Sequence, residues 1–207
     1  MRGAFIVFEG IDGVGKTTQL FTLFHELRGR SRKVVLTREP GGTPVGEAIR
    51  RVLLDAENQE MTPETEALLY AAARAQFVSK VVRPTLERGE VVLSDRFVDS
   101  SLAYQGYGRG LDLEKLAQVN MLATGGLRPD LTILLDMPVV TALGRLEVGR
   151  RDRLELEDTD FYDRVRRGYR RLASADPGRY LVLDADREVE VLAAAVMERV
   201  EVVLGLV

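Results

Sequence analysis

The stretch Phe5-Ile6-Val7-Phe8-Glu9 runs directly into Gly10-Ile11-Asp12-Gly13-Val14-Gly15-Lys16-Thr17, and this junction constrains the fold more than any other part of the chain. Spacing of the form G-x-x-x-x-G-K-[ST] after an apolar run and before a helical pattern predicts a strand, a phosphate-cradling loop and a helix in that order. Glycines let backbone N–H groups turn inward around phosphate oxygens, and the start of the helix adds partial positive charge. Lys16 is then expected to reach the β and γ phosphates of a nucleoside triphosphate, and the Thr17 hydroxyl to ligate Mg²⁺. Thr18 either joins the loop's contacts or simply continues the helix.

Further apolar runs recur at Lys33 to Thr37, Glu90 to Ser94, Leu131 to Asp136 and Tyr180 to Leu183, separated by longer stretches of helical periodicity. This alternation predicts a parallel sheet with helices on both faces, an α/β fold of five strands. Thr62-Pro63-Glu64 opens a helix expected to run to about Arg88, before Gly89, and Asp112 is suited to cap another ending near Gly125-Gly126. At 207 residues the chain fits one domain, residues 1–207, with a mobile lid at about 145–158.

Composition narrows the partners. The net charge of −3 argues against a broad basic face for nucleic acid, and the absence of cysteine excludes thiolate metal sites and cysteine nucleophiles. No run of apolar residues is long enough to span a membrane, and the short run after Arg2 is unlike a secretory leader, so a soluble cytoplasmic protein is expected.

The phosphate loop alone serves switches, motors and kinases alike. A GTPase should carry an Asn-Lys-x-Asp type motif after a later strand, but Leu135 is followed by Asp136-Met137-Pro138. The strand through Leu93 ends instead in Ser94-Asp95-Arg96, in the same crevice as the loop, since strand C-termini of an open α/β sheet share one edge. Asp95 is placed to act on Mg²⁺, directly or through a water, and Arg96 to fork onto a second phosphate. Arg38, at the end of the second strand, and Arg50, one helix later, can close on the same spot. Two anion sites in one crevice suggest phosphoryl transfer between phosphates. The chain has a single histidine, His25, placed mid-helix away from the loop; a phosphate monoester acceptor needs no strong base, whereas a hydroxyl acceptor would.

Thr37-Arg38-Glu39-Pro40-Gly41-Gly42-Thr43, Asp95-Arg96-Phe97-Val98-Asp99-Ser100-Ser101-Leu102-Ala103-Tyr104-Gln105 and Ala123-Thr124-Gly125-Gly126-Leu127-Arg128-Pro129-Asp130 together make the sequence resemble the bacterial thymidylate kinases, from about Phe5 to Asp184. The resemblance implies a P-loop nucleoside-monophosphate kinase fold, ATP and Mg²⁺ as cofactors, dTMP as acceptor and a homodimer. It assigns Gly10, Ile11, Asp12, Gly13, Val14, Gly15, Lys16, Thr17 and Thr18 to ATP. Tyr70 takes the place of an aromatic stacking on thymine, and Arg74 that of a guanidinium bonding a base carbonyl. Ser101 and Gln105 fall at the base's polar edge, and Tyr104 beside the sugar. Arg38, Glu39, Arg50 and Arg96 go to the acceptor, and Asp12 to its sugar hydroxyl or a metal-bound water.

By the same resemblance the arginine-rich segment is a lid over ATP, with Arg145 and Arg150 on the nucleotide. The loop residues Ile11 to Val14 include no basic side chain, so the catalytic arginine is expected in the lid, with Arg153 the first choice and Arg150 the second. Without the resemblance, Tyr70 reads as core, Ser101 and Gln105 as an amphipathic turn, and the lid as a solvated helix laced by i, i+4 pairs. The alternatives are another nucleotide kinase of the same fold, or a nucleotide switch that hydrolyses ATP without an acceptor.

Overall fold

A computed structural model describes residues 3–146 and 152–206. Five strands, β1 (Ala4–Glu9), β2 (Val34–Arg38), β3 (Val91–Asp95), β4 (Leu131–Asp136) and β5 (Tyr180–Asp184), form one parallel sheet in the order β2-β3-β1-β4-β5. The predicted runs coincide with these strands to within a residue at either end. β1 lies at the centre, with Ile6 opposite Leu93 on one side and Leu131 on the other. All six of its residues are buried, as expected for a strand covered on both faces.

The two-residue period of β1 divides the core. Phe5 and Val7 face one layer with Phe77, Val78, Val82 and Phe97. Ile6 and Phe8 face the other, with Leu20, Leu23 and Leu27 of α1 (Lys16–Gly29) and Val196 and Val200 of α9 (Val189–Val203). Each fully buried side chain of this size contributes about 1.5–3 kcal/mol of transfer free energy.

The remaining helices are α2 (Pro44–Leu54), α3 (Pro63–Phe77), α4 (Arg83–Glu87), α5 (Val98–Ser101), α6 (Leu113–Thr124), α7 (Val139–Gly144) and α8 (Thr159–Ala175). Thr62 caps α3 through the Thr65 amide, and Asp112 caps α6 through the amides of Glu114 and Lys115. The single helix predicted from Pro63 to Arg88 is interrupted: Val78–Val82 form a π-helical turn before α4. Pro84 supplies the reason, because it has no N–H for the preceding turn and its ring crowds the carbonyl there. A second π-helical stretch, Leu102–Gly108, continues α5 and carries Tyr104 and Gln105. No described helix is long and apolar enough to cross a membrane.

Candidate active site

Every strand of a parallel sheet ends on the same edge, so Glu9, Arg38, Asp95 and Asp136 all finish at one crevice. There the phosphate loop opens α1. Gly13 adopts φ 83°, and a Cβ on it would lie 2.0 Å from the Ala142 carbonyl oxygen, so the loop both turns left-handed and passes against α7. The first turn of α1 has no side-chain cap and no acid, leaving its N–H groups and positive end for an anion. Ile11 and Val14 send their side chains into the core and can serve a ligand only through their backbones. Thr17 lines the crevice beside Gly13, Gly15 and Lys16, whereas Thr18 lies on an exposed part of α1.

Lys16 is buried, with Nζ donating to the Ile11 carbonyl at 2.8 Å and 3.8 Å from Asp12 Oδ1. Burial lowers its pKa, with the neighbouring Arg96 charge acting in the same direction. Arg96 follows β3 with φ 73°, a conformation of an ordinary side chain that costs on the order of 1–3 kcal/mol and is found where function demands it. The backbone turn aims the guanidinium back at the loop. Nη2 donates to Asp12 Oδ1 at 2.6 Å and to Tyr104 at 3.2 Å; Nη1 donates to the Gly10 carbonyl at 2.9 Å and to the hydroxyls of Ser100 and Tyr169. Burial opposes ionisation of Asp12, but the charges of Arg96 and Lys16 outweigh it and lower its pKa to about 2.

Two cavities open from this centre. One is lined by Gly13, Gly15, Lys16, Thr17, Arg38 and Asp95; the other by Tyr70, Arg74, Ser101, Tyr104 and Gln105. Asp12, Glu39, Arg50 and Arg96 line both and form the wall between them. The predicted phosphate-loop group and the predicted acceptor group are therefore brought together across a shared charged wall. Arg38 is largely exposed and paired with Glu47, while Arg50 donates to the Pro40 carbonyl. Asp95 Oδ1 is buried without a hydrogen-bond partner.

The second cavity is held by its own network. Arg74 is buried and donates to Ser101 Oγ at 3.0 Å, to the Phe97 carbonyl at 3.2 Å and to Asn120 Oδ1, and it forms an ion pair with buried Glu39. Burial pushes the Glu39 carboxyl up to about 7, against the opposing pull of Arg74. The family-model match is to the thymidylate kinases, over residues 8–196.

The chain belongs to the thymidylate kinase family.

Its curated relatives agree along the whole length. It is 66% identical over 205 residues to the thymidylate kinase of Desulforudis audaxviator, covering 99% of this chain and 93% of that one. It is 52% identical over 202 residues to that of Geotalea daltonii, covering 94% of each, and 52% identical over 200 residues to that of Symbiobacterium thermophilum, covering 97% of this chain and 94% of the other.

Several predicted thymidylate-kinase site residues sit elsewhere. Arg153 is buried against Glu66 in an ion pair and donates through Nε to the Leu53 carbonyl at 2.9 Å, so it lines neither cavity. Asp152 and Leu154 of the same segment face the acceptor cavity, and Glu155 the phosphate one. Described residues of the segment expected to be a lid form turns rather than a solvated helix, with Asp152 capping the amides of Leu154 and Glu155. Arg145 donates to the Ala185 carbonyl and pairs with Asp186. Arg150 lies outside the described residues.

Sequence reasoning missed Glu9 and Glu66, both fully buried acids. Glu9 accepts from the amides of Phe97 and Ser100 and from the hydroxyls of Ser100 and Tyr169, so it fixes the turn that carries Arg96. Burial, reinforced by the Asp99 charge, raises its pKa to about 7. An acid ending an otherwise apolar strand beside Gly10 was the available signal for Glu9. For Glu66 it was the i, i+4, i+8 spacing with Tyr70 and Arg74 on one helix face.

Proposed function

We propose that this chain transfers the γ-phosphate of ATP to dTMP, giving dTDP and ADP, as a nucleotide-biosynthetic kinase. The single observation that carries this reading is the shared wall of Asp12, Glu39, Arg50 and Arg96 between a phosphate-loop cavity and a cavity lined by Tyr70, Arg74 and Gln105. A nucleotide in each cavity brings its phosphates to the same arginines, so the chemistry reduces to holding two anions in line and spreading positive charge over the transferring group.

Lys16 and Arg96 take the central roles. In this arrangement Lys16 rests on the Ile11 carbonyl and Arg96 on Asp12, contacts that phosphate oxygens can replace. Asp12, ionised down to about pH 2, keeps Arg96 aimed while the acceptor's phosphate approaches from the Arg38 and Arg50 side. The acceptor oxygen already carries charge near neutral pH, because a phosphate monoester loses its second proton near pH ~6. No base is required of the protein.

Mg²⁺ fits the residues present. Asp95 Oδ1 is a buried oxygen without a partner, in the same cavity as the Thr17 hydroxyl, and a Mg²⁺ site on nucleotides needs only one or two protein oxygens beside phosphate and water. When bound there, Mg²⁺ supplies charge neutralisation for the polyphosphate.

Arg153 serves as the cationic finger in this reading only after leaving Glu66, which makes lid rearrangement part of the cycle. Exposed Val45 and Val52 of α2, Leu68 of α3 and Met121 and Leu122 of α6 support a homodimer through these packed helices. Both substrates are soluble nucleotides, and we place the reaction in the cytoplasm.

The test is ADP release measured with dTMP, dUMP, UMP, CMP, GMP and AMP as acceptors. The reading requires dTMP to give the highest kcat/KM and ATP consumption to depend on an acceptor. Faster turnover of AMP or GMP overturns it, as does equal ATP hydrolysis without any monophosphate.

A further inference from the structure

Glu66 is fully buried, lies outside the wall between the cavities and lines neither of them; in the reading above it only holds Arg153 before the lid rearranges. It stands one helical turn before Tyr70 and two before Arg74 on α3, so its carboxylate approaches the acceptor cavity from behind. Three groups converge on it. Gln105 Nε2 donates to Oε1 at 2.8 Å, Arg109 Nη2 donates to Oε2 at 3.1 Å, and Arg153 forms an ion pair with Oε2. Burial opposes the charge on Glu66, yet the hydrogen bonds of Arg109 and Gln105 and the positive charges nearby hold its pKa below the ordinary value.

An ionised carboxylate only accepts hydrogen bonds. Gln105 must therefore turn its NH₂ toward Glu66, which leaves its Oε1 for the cavity that Gln105 lines. No hydrogen bond among the described residues ends on that oxygen. Arg74, lining the same cavity, can only donate, and its Nε has no hydrogen-bond partner. Among the polar groups that line the cavity, Gln105 Oε1 is thus held as an acceptor and Arg74 is fixed as a donor.

We propose that Glu66 is a positioning residue that fixes the amide of Gln105, so that the acceptor cavity selects a base edge with a carbonyl beside an N–H over the reversed edge with an amino group beside a bare ring nitrogen. This rests on the acceptor reading given above. The first edge is that of thymine and uracil, the second that of cytosine. Were Gln105 free to turn over, its NH₂ could serve the bare ring nitrogen and part of the discrimination would vanish. Buried polar groups left unpaired by the wrong edge are the strongest source of such discrimination.

The test compares kcat/KM for dTMP with that for dCMP in the parent, Glu66→Gln, Arg109→Gln, Gln105→Met and the Glu66→Gln/Gln105→Met pair. A glutamine at 66 can donate or accept, so Gln105 is no longer held one way. The expected result for Glu66→Gln is a fall of about tenfold or more in the dTMP:dCMP ratio, carried mainly by a higher KM for dTMP. Arg109→Gln removes a charge from the same carboxylate without touching Gln105 and is expected to keep the ratio within about threefold of the parent. With Gln105→Met already present, Glu66→Gln should leave the ratio unchanged.

An unaltered ratio in Glu66→Gln overturns the proposal. So does an equal fall in Arg109→Gln, or an equal further fall on the Gln105→Met background. If Glu66→Gln does not fold, Glu66→Asp draws the carboxylate back from Gln105 by one methylene and frees the amide to turn; an unchanged ratio in that variant overturns the proposal too. A parent that uses dCMP as well as dTMP overturns the acceptor reading itself, an outcome distinct from any change among the variants.

Discussion

Arg96 and Asp12 meet at 2.6 Å across the crevice, so the cation that follows β3 and the acid inside the phosphate loop neutralise each other where two phosphates are to meet. Removing Arg96 strips the wall of its central cation and leaves Asp12 to draw on Lys16, now 3.8 Å away. Arg96→Ala and Lys16→Ala are each expected to lower kcat/KM by more than about a hundredfold, roughly 3 kcal/mol of transition-state stabilisation. Steady-state kinetics with ATP and dTMP check this. Activity within about tenfold of the parent removes the assigned role of the residue concerned.

Glu9 gives a pH dependence of stability. Its carboxyl titrates near 7 in the folded protein against an ordinary value of 4.5, because it is buried and close to Asp99. Between those two values the folded state holds a proton that the unfolded state has released, so stability declines as pH rises from 4.5 to about 7. The full shift corresponds to about 3 kcal/mol. Glu9→Gln keeps the shape and is expected to make this decline in Tm about half as steep across that range, leaving the contribution of Glu39, whose carboxyl is likewise pushed up to about 7 and acts with the same sign. A variant whose Tm falls as steeply as the parent's would show that Glu9 is ionised throughout.

How legible this was depended on how local the cause is. The strands, the caps at Thr62 and Asp112 and the phosphate loop follow from neighbouring residues, and all appear where the sequence places them. The π-helical interruption at Val78–Val82 was hidden because Pro84 acts one turn ahead of itself within an unbroken helical pattern. Arg96 was recognisable as a strand-end cation, but its left-handed backbone was not, since it is maintained by Glu9, 87 positions earlier, accepting from the adjacent Phe97 amide. Arg153 was chosen from a charge-rich segment by exclusion. Its partner Glu66 lies on another helix, beyond the reach of i, i+4 reasoning.

Arg153 therefore has two possible jobs, and kinetics separates them. If it crosses to the transferring phosphate, Arg153→Ala lowers kcat at least about tenfold with the KM for dTMP little changed. If its work is the ion pair with Glu66 and the bond to the Leu53 carbonyl, the substitution raises KM and leaves kcat nearly intact. The first split is expected. Single-turnover measurements with saturating dTMP check it without interference from product release.

Gly13 tests the loop geometry independently of charge. Its φ of 83° disfavours any other residue, and an added Cβ meets the Ala142 backbone oxygen at 2.0 Å, where no side chain can yield. Gly13→Ala is expected to shift the loop against α7 and weaken ATP binding by at least about tenfold while the acceptor cavity, which Gly13 does not line, keeps its affinity for dTMP. Calorimetric titration of each nucleotide separately measures the two. Equal losses for both would mean that the substitution disturbs the whole crevice rather than the loop.

The proposed homodimer is tested on α6. Leu122 is 87% exposed and Met121 62%, next to a helix, α3, that leaves Leu68 58% exposed. Apolar side chains of this size are scattered singly on ordinary surfaces, but here they recur on three helices that pack in series, α2 on α3 and α3 on α6. A second copy of the same face would bury them symmetrically. Leu122→Glu combined with Leu68→Glu places like charges in that contact while touching nothing inside the fold, so the expected result is a monomer of unchanged helical content, read by sedimentation and circular dichroism. α3 carries Glu66, Tyr70 and Arg74 on its buried side, so loss of the partner should also loosen the acceptor cavity and raise the KM for dTMP. A parent that sediments as a monomer at micromolar concentration, or a double variant that stays dimeric, rules out this face as the interface.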